Sequence, residues 1–364
     1  MSLRGLIFNK NQLKFLVILW VTLLSVHSVV WADEAVPKLE GYGADLSQTS
    51  VSGLSSGGFM TAQFHVAYSD RLVGAGIIAG GPFYCVGSYE TNPSKFLQQA
   101  TATCNTPATA FVAPDGKGLF KKASQFAADK KIADLNNLKD DRVYIFTGSK
   151  DQVVKTEVVD QVAKFYQAAG LKPEQIKYDR DSVNAGHAII VQQGSVGCSD
   201  TNTPYINDCD FMQSQRVLEQ IYGKLNPPAD QPTGKIIKFD QSEFIQAKNT
   251  SMSKEAYAYV PKVCETESCK VHVAIHGCEQ GAKLIGNNYY SLTGYNEIAD
   301  TNNMIVLYPQ VEPSNATPYN PKGCWDFWGY SSADPANPVF YTRESPQMKA
   351  IIGMIDRLGE SRSK

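Results

Sequence analysis

The stretch Gly53-Leu54-Ser55-Ser56-Gly57-Gly58 decides the fold. It has the Gly-x-Ser-x-Gly spacing of a nucleophile elbow centred on Ser55, in which a serine sits on a sharp strand-to-helix turn. Such a turn is tight, so a Cβ at the flanking positions would clash, and glycine relieves the clash. Gly53 and Gly57 supply that room, and Gly58 adds more at the start of the next segment. The surroundings have the required order. Thr49-Ser50-Val51-Ser52 reads as a short strand, and Phe59 to Tyr68 carries apolar residues at helical spacing.

Outward from the elbow, apolar strands alternate with amphipathic helices, which predicts an α/β fold with a mostly parallel sheet and helices on both faces. Strands are expected at 72–79, 142–147, 175–180, 235–239, 256–260, 271–275 and 304–308. Helices are expected at 116–131, 154–169, 209–224, 293–302 and 345–358. The proline-rich stretch Leu225-Asn226-Pro227-Pro228-Ala229-Asp230-Gln231-Pro232 reads as a connector. Neither side of it has enough strands and caps to stand alone, so one domain is expected.

Residues 1–14 carry Arg4, Lys10 and Lys14 and no acid, and residues 15–32 form an apolar run. Val30 and Ala32 suit the positions before a signal-peptidase cut, so residues 1–32 read as a signal peptide and 33–364 as the mature domain. A retained membrane anchor is the rival reading. The small-residue exit and the acids just beyond favour cleavage and export, with no membrane span in the mature chain. Of 34 Lys and Arg, 31 remain against 36 Asp and Glu, a net charge of −5. No basic patch stands out, which argues against nucleic acid or an anionic membrane as partner. Oligomeric state is left open.

All eight cysteines lie beyond residue 32. An even count in an exported chain reads as four disulfides, although the number of possible connectivities leaves the pairing open. Pairing of sequence neighbours is the simplest solution: Cys85–Cys104, Cys198–Cys209, Cys264–Cys269 and Cys278–Cys324. There is no Cys-x-x-Cys knuckle, so neither a metal site nor a cofactor is expected.

A serine nucleophile needs a base. His65 falls on the helix after the elbow, and His272 falls in the strand pattern Val271-His272-Val273-Ala274-Ile275. His187 lies in the small-residue loop Asn184-Ala185-Gly186-His187-Ala188, just after an expected strand, where a base could reach Ser55. The histidine in turn needs an acid. Asp151 follows the strand 142–147 in a Gly/Ser turn, at the strand end where sites of such sheets are built. Asp179 and Asp181 are rivals but lie close in sequence to His187. The succession Ser55, Asp151, His187 is the one expected of α/β-hydrolases.

Acyl transfer also needs donors aimed at the developing oxyanion. One is the N–H of Ser56, the residue after the nucleophile. The second normally comes from a His-Gly loop on a strand that precedes the elbow. Here His276-Gly277-Cys278-Glu279-Gln280 follows the strand 271–275, far downstream of it. A circular permutation accounts for the inversion. The last helix, 345–358, is what is expected just before the elbow strand, and joining the ends would restore the usual succession.

These segments, together with Gly323-Cys324-Trp325-Asp326-Phe327-Trp328, resemble extracellular poly(3-hydroxybutyrate) depolymerases of the circularly permuted, single-domain kind. The resemblance covers nearly all of the mature chain. It implies a secreted serine esterase acting on a polyester or oligoester, with oxyanion donors at Ser56 and Cys278 and a Cys278–Cys324 bridge. Feruloyl and acetylxylan esterases share similar motifs and are the alternative. A non-catalytic binding protein on a hydrolase scaffold is a further one, which the complete set of triad residues disfavours. If Cys324 is bridged to the His-Gly loop, the aromatic cluster is held beside Ser55. Trp325, Trp328 and His276 are therefore the expected substrate contacts, tryptophan offering a broad apolar face to a polyester chain.

Overall fold

A computed structural model describes residues 35–180 and 182–362. The expected signal peptide and the rival carboxylate Asp181 lie outside the described residues. The strands are β1 (Ser50–Leu54), β2 (Gly74–Ile78), β3 (Arg142–Thr147), β4 (Ile176–Arg180), β5 (Ile189–Val191), β6 (Val196–Gly197), β7 (Ile206–Asp208), β8 (Lys235–Asp240), β9 (Glu255–Val260), β10 (Lys270–Ile275) and β11 (Met304–Tyr308). The helices are α1 (Ser56–Ala67), α2 (Phe96–Ala102), α3 (Gly116–Ala128), α4 (Thr156–Ala168), α5 (Gln213–Tyr222), α6 (Ala282–Ile285), α7 (Asn288–Leu292), α8 (Tyr295–Thr301) and α9 (Pro346–Gly359).

An eight-stranded sheet runs in the order β4-β3-β2-β1-β10-β11-β9-β8. It is parallel from β4 to β11, and β9 and β8 close it as an antiparallel pair. The two-residue period of the strands sorts their apolar side chains between two cores. Val51, Ile77, Ile145, Val273 and Leu307 face one, beneath α1, α3, α4 and α9. Leu54, Ile78, Phe146, Ala274 and Tyr308 face the other, against α5, α7 and α8. The described residues from Val36 onward form one compact unit. Among them no helix is long and apolar enough to cross a membrane.

The topology carries the permutation. The first half of the chain supplies β1 to β4 and the second supplies β8 to β11, with β1 and β10 adjacent at the seam. The segment entering β1 starts from the end of α9: Tyr42 and Ala44 N–H groups donate to the Leu358 carbonyl, both at 3.0 Å, and Gly43 N–H to Glu360 at 2.8 Å. A join there would run β8 to β11, then α9, directly into the elbow strand. The order of residues is rearranged while the packing stays continuous.

Three of the differences from the sequence expectation have a direct physical reason. Every residue of α1 is buried, because the segment around residues 324–341 covers its outer side: Phe59 stacks on Phe327 at 4.2 Å, and Gln63 Nε2 donates to the Asp326 carbonyl at 3.0 Å. Helix α5 starts at Gln213 rather than near 209, because β7 and the Cys198–Cys209 bridge occupy the preceding residues. The small sheet β5-β7-β6 is absent from the sequence expectation, since strands of two or three residues are too short to display a period.

At the seam, His272 of β10 sits opposite Ser50 of β1. Its Nδ1 lies 2.7 Å from Ser50 Oγ and its Nε2 2.7 Å from Ser52 Oγ. Burial pushes this imidazole down to about 3, from an ordinary value of 6.5. On acidification the unfolded chain therefore takes up this proton first. The contribution to stability is intact above about pH 6.5 and is lost as pH falls toward 3, at up to about 1.4 kcal/mol per pH unit. Urea denaturation at pH 7, 6, 5 and 4 is expected to show this decline, with a flatter decline in His272→Gln. Equal slopes in the two proteins would remove His272 as the cause.

Candidate active site

Ser55 holds φ 59° and ψ −123°, a backbone conformation that ordinary residues rarely adopt. The neighbouring chain enforces it. Ser55 N–H donates to the Ile78 carbonyl of β2 at 2.9 Å, and the Ser55 carbonyl accepts from Phe59 N–H of α1 at 2.9 Å. A Cβ on Gly57 would lie 2.3 Å from the Ile275 carbonyl oxygen and 2.4 Å from that of His276. A Cβ on Gly53 would lie 2.5 Å from the Gly57 oxygen. These contacts are to backbone, which cannot give way, so glycine is required at both positions.

Asp151 and His187 come from loops at the same edge of the sheet. Lys150 N–H donates to the Ala185 carbonyl at 3.0 Å and Ser149 N–H to Val183 at 3.2 Å, tying the two loops together. Asp151 Oδ1 accepts from the N–H groups of Val153 (2.8 Å) and Val154 (3.0 Å), while Oδ2 lies 2.7 Å from His187 Nδ1. The pair is buried, and the carboxylate selects the tautomer with hydrogen on Nδ1. Thr201 Oγ1 accepts from His187 N–H at 3.0 Å and fixes the loop further. Asp179, the rival acid, is engaged by Tyr144 Oη at 2.9 Å and an Arg216 guanidinium nitrogen at 3.2 Å.

Ser55, Ser56, His187, Gly277 and Cys278 line one cavity of about 470 Å³. No hydrogen bond joins Ser55 Oγ to His187 among the described residues, a looseness common where catalytic bonds tighten only around substrate. His187 Nε2 is the ring nitrogen left for the cavity. Ser56 is the first residue of α1, so its N–H has no partner within the helix. In the facing loop Gly277 N–H donates to Gln280 Oε1 (2.7 Å) and Glu279 N–H to the Lys322 carbonyl (2.7 Å). Between them the Cys278 N–H has no hydrogen-bond partner among the described residues. A Cβ on Gly277 would lie 3.2 Å from Ser55 Cβ, so this loop stands directly over the serine. Two unengaged N–H donors, a serine and a carboxylate-held imidazole can together carry out acyl transfer.

The four disulfides join Cys85–Cys104, Cys198–Cys209, Cys264–Cys269 and Cys278–Cys324. The last ties the His-Gly loop to the aromatic segment. There the sequence expectation needs correction. Trp325 is fully buried, its backbone N–H donating to Ser56 Oγ at 3.2 Å, and it supports α1 from behind instead of facing substrate. His276 is also fully buried and does not reach the cavity. Trp328 and Phe327 do line it, joined by the exposed Leu97 and Tyr319. Among the described residues no group of three or more His, Cys, Asp or Glu could hold a metal ion.

Asp326 organises this wall and was missed in the sequence. Its Oδ1 accepts from the N–H groups of Trp328 (3.1 Å), Gly329 (2.6 Å) and Tyr330 (3.2 Å), and its Oδ2 from Ser331 N–H (2.8 Å) and Oγ (2.6 Å). Burial pushes its carboxyl pKa up, opposed by these donors. An aspartate followed by Gly and Ser is the one signal that could have marked such a turn. Gln280, whose Nε2 donates to the carbonyls of Pro204 (2.9 Å) and Tyr205 (3.2 Å), lay within a motif already noted, but its clamp on the facing loop left no sequence trace.

No family model matches the chain. It is 39% identical over 344 residues to a poly(3-hydroxybutyrate) depolymerase of Delftia acidovorans, covering 92% of this chain and 63% of that relative. The chain thus spans less than two thirds of that relative's length. It is 33% identical over 352 residues to a polyhydroxybutyrate depolymerase of Talaromyces funiculosus, covering 90% of this chain and 94% of the relative. Among solved structures it resembles the depolymerase crystal structure from Penicillium funiculosum, with TM-score 0.78, 30% identity, and 89% and 100% of the two chains covered. A serine-to-alanine variant of a PHB depolymerase, complexed with an R3HB trimer, matches with the same TM-score and coverage at 31% identity.

Replacing Asp326 by alanine would leave the half-buried N–H groups of Trp328, Gly329 and Tyr330 and the buried N–H and hydroxyl of Ser331 without their acceptor. Asp326→Ala is expected to lower unfolding stability in urea by about 2–4 kcal/mol. A loss below about 1 kcal/mol would show that the aromatic wall does not depend on this carboxylate.

Proposed function

We propose that this chain, which belongs to the poly(3-hydroxybutyrate) depolymerase family, is a secreted serine esterase that cleaves ester bonds of poly(3-hydroxybutyrate) or its oligomers. The observation that carries this reading is the meeting at one cavity of Ser55, the Asp151-held His187 and two unengaged N–H donors. Ser55 Oγ attacks the ester carbonyl as His187 Nε2 takes its proton, and Asp151 stabilises the imidazolium that forms. The N–H groups of Ser56 and Cys278 receive the tetrahedral oxyanion, each contributing about 3 kcal/mol to the transition state. His187 then protonates the leaving hydroxyl. Water, activated by the same imidazole, releases the 3-hydroxybutyryl group from Ser55 by the reverse route.

The cavity suits this substrate class. Its volume is in the range that encloses a small ligand. Trp328, Phe327, Leu97 and Val153 give it apolar walls that match the methyl-bearing backbone of an aliphatic oligoester. The R3HB trimer held by a structural relative supports an oligoester occupant. Four disulfides support an oxidising destination, and hence export with residues 1–32 removed and 33–364 retained as a single domain.

Ser55→Ala is expected to fold normally, to lose covalent labelling by an organophosphonate, and to lose at least about 10⁴-fold in ester hydrolysis. Appreciable turnover by that variant would refute the nucleophile assignment. The wild-type protein is expected to release soluble acid from 3-hydroxybutyrate polymer film or short oligomers. Release from feruloylated or acetylated sugars alone would sink the polyester reading while leaving the esterase intact.

A further inference from the structure

His276 stays out of the cavity, yet both its ring nitrogens are committed to backbone beside it. Nδ1 lies 2.7 Å from the Gly277 carbonyl oxygen, which can only accept, so the hydrogen is on Nδ1. Nε2 accepts the N–H of Val311 at 3.2 Å, which requires a lone pair there. The two neighbours select one and the same neutral tautomer. Burial also lowers the ring to about 4, so it stays uncharged at neutral pH.

The consequence lies on the far side of the peptide. In a trans peptide the C=O and N–H point in opposite directions. A Gly277 carbonyl drawn toward His276 in the core turns the Cys278 N–H the other way, to the cavity wall it shares with Ser56. The two side bonds of the loop act on other peptides. Gln280 Oε1 holds the N–H of Gly277, and the Lys322 carbonyl holds that of Glu279. On the Gly277–Cys278 peptide itself, the carbonyl receives His276 Nδ1–H and one longer turn bond of 3.3 Å from Gln280 N–H. A flip of this peptide would aim a carbonyl at the developing negative charge.

We propose that His276 is a positioning residue for the oxyanion site: its Nδ1–H anchors the Gly277 carbonyl and so keeps the Cys278 N–H turned toward the substrate oxygen. This rests on the serine-esterase reading above. The residue touches no substrate and exchanges no proton, so its removal alters the chemical step and leaves ground-state binding in place.

The test compares two amide variants. Asparagine carries its NH₂ near where Nδ1 stood, whereas glutamine carries its amide near where Nε2 stood. With a soluble p-nitrophenyl ester, His276→Asn is expected to keep kcat within about threefold of wild type. His276→Gln is expected to lose about 10- to 100-fold in kcat, with KM within about threefold, short of the full loss of an oxyanion donor because the turn bond remains. Equal kcat in the two folded variants, or a loss carried by KM, overturns the proposal. An independent readout needs no variant to fold: ¹⁵N spectra of the histidine-labelled wild-type enzyme are expected to show His276 as the neutral Nδ1–H tautomer, and an Nε2–H tautomer overturns the proposal. Failure of the esterase reading is distinguishable, because it would appear as activity surviving in Ser55→Ala, whatever His276 does.

Discussion

The structure depends on one contact between main chains. At Gly57 the first turn of α1 presses against the carbonyls that end β10, with room for a hydrogen and none for a methyl group. That approach sets the elbow and the His-Gly loop against a common wall, although more than two hundred residues separate them in the chain. It also sustains the unfavourable φ and ψ of Ser55. A conformation of that kind costs on the order of 1–3 kcal/mol and persists only where its surroundings over-determine it. Here they do: β2 takes the serine's N–H, α1 takes its carbonyl, and α1 itself is buried along its whole length.

From that wall outward, each element of the site is held by backbone or by a buried polar side chain. Asp151 is fixed by two N–H donors before it meets His187, and Thr201 grips the histidine's own N–H. Gln280 spans from the His-Gly loop to Pro204 and Tyr205, on the segment that leads back to Thr201. Asp326 folds the aromatic wall around its carboxylate, and a disulfide ties that wall to the loop over the serine. Such pre-set dipoles need little reorganisation as charge develops, which is how an oxyanion site acquires its strength.

What could be read in the sequence was whatever local sterics and periodicity encode. Strands 142–147 and 304–308 have the expected bounds because each is built on an apolar run, Val143–Phe146 in the first and Met304–Tyr308 in the second, with turn residues beyond it. The elbow was legible because only a tight turn needs small residues at that spacing, and the inverted position of the His-Gly loop disclosed the permutation. Which side of a loop a residue occupies was not legible. Trp325 and Trp328 are three positions apart with the same chemistry, yet one is packed behind α1 and the other borders the cavity. That choice belongs to Asp326, whose turn rotates the chain between them, and an acceptor with five donors leaves little trace in a string of letters. The small β5-β7-β6 sheet escaped for a related reason, its strands being shorter than one repeat of any pattern.

The histidines show how environment, more than residue type or burial, assigns a role. His65, His187, His272 and His276 are the four described histidines, and all are buried. His65 has Tyr166 Oη at 2.8 Å on one nitrogen and Asp141 at 3.0 Å on the other. His272 is bracketed by two serine hydroxyls and His276 by two backbone groups. In each of these three the ring is saturated, and a saturated ring has no lone pair to offer a substrate. His187 has a carboxylate on Nδ1 and faces a cavity with Nε2. A general base needs that asymmetry: one nitrogen is held so that the ring is aimed and its cation stabilised, and the other is left open so that a proton has somewhere to go. By that criterion His65, which also has a carboxylate partner, is ruled out by its tyrosine, and the loop histidine at the sheet edge stands apart.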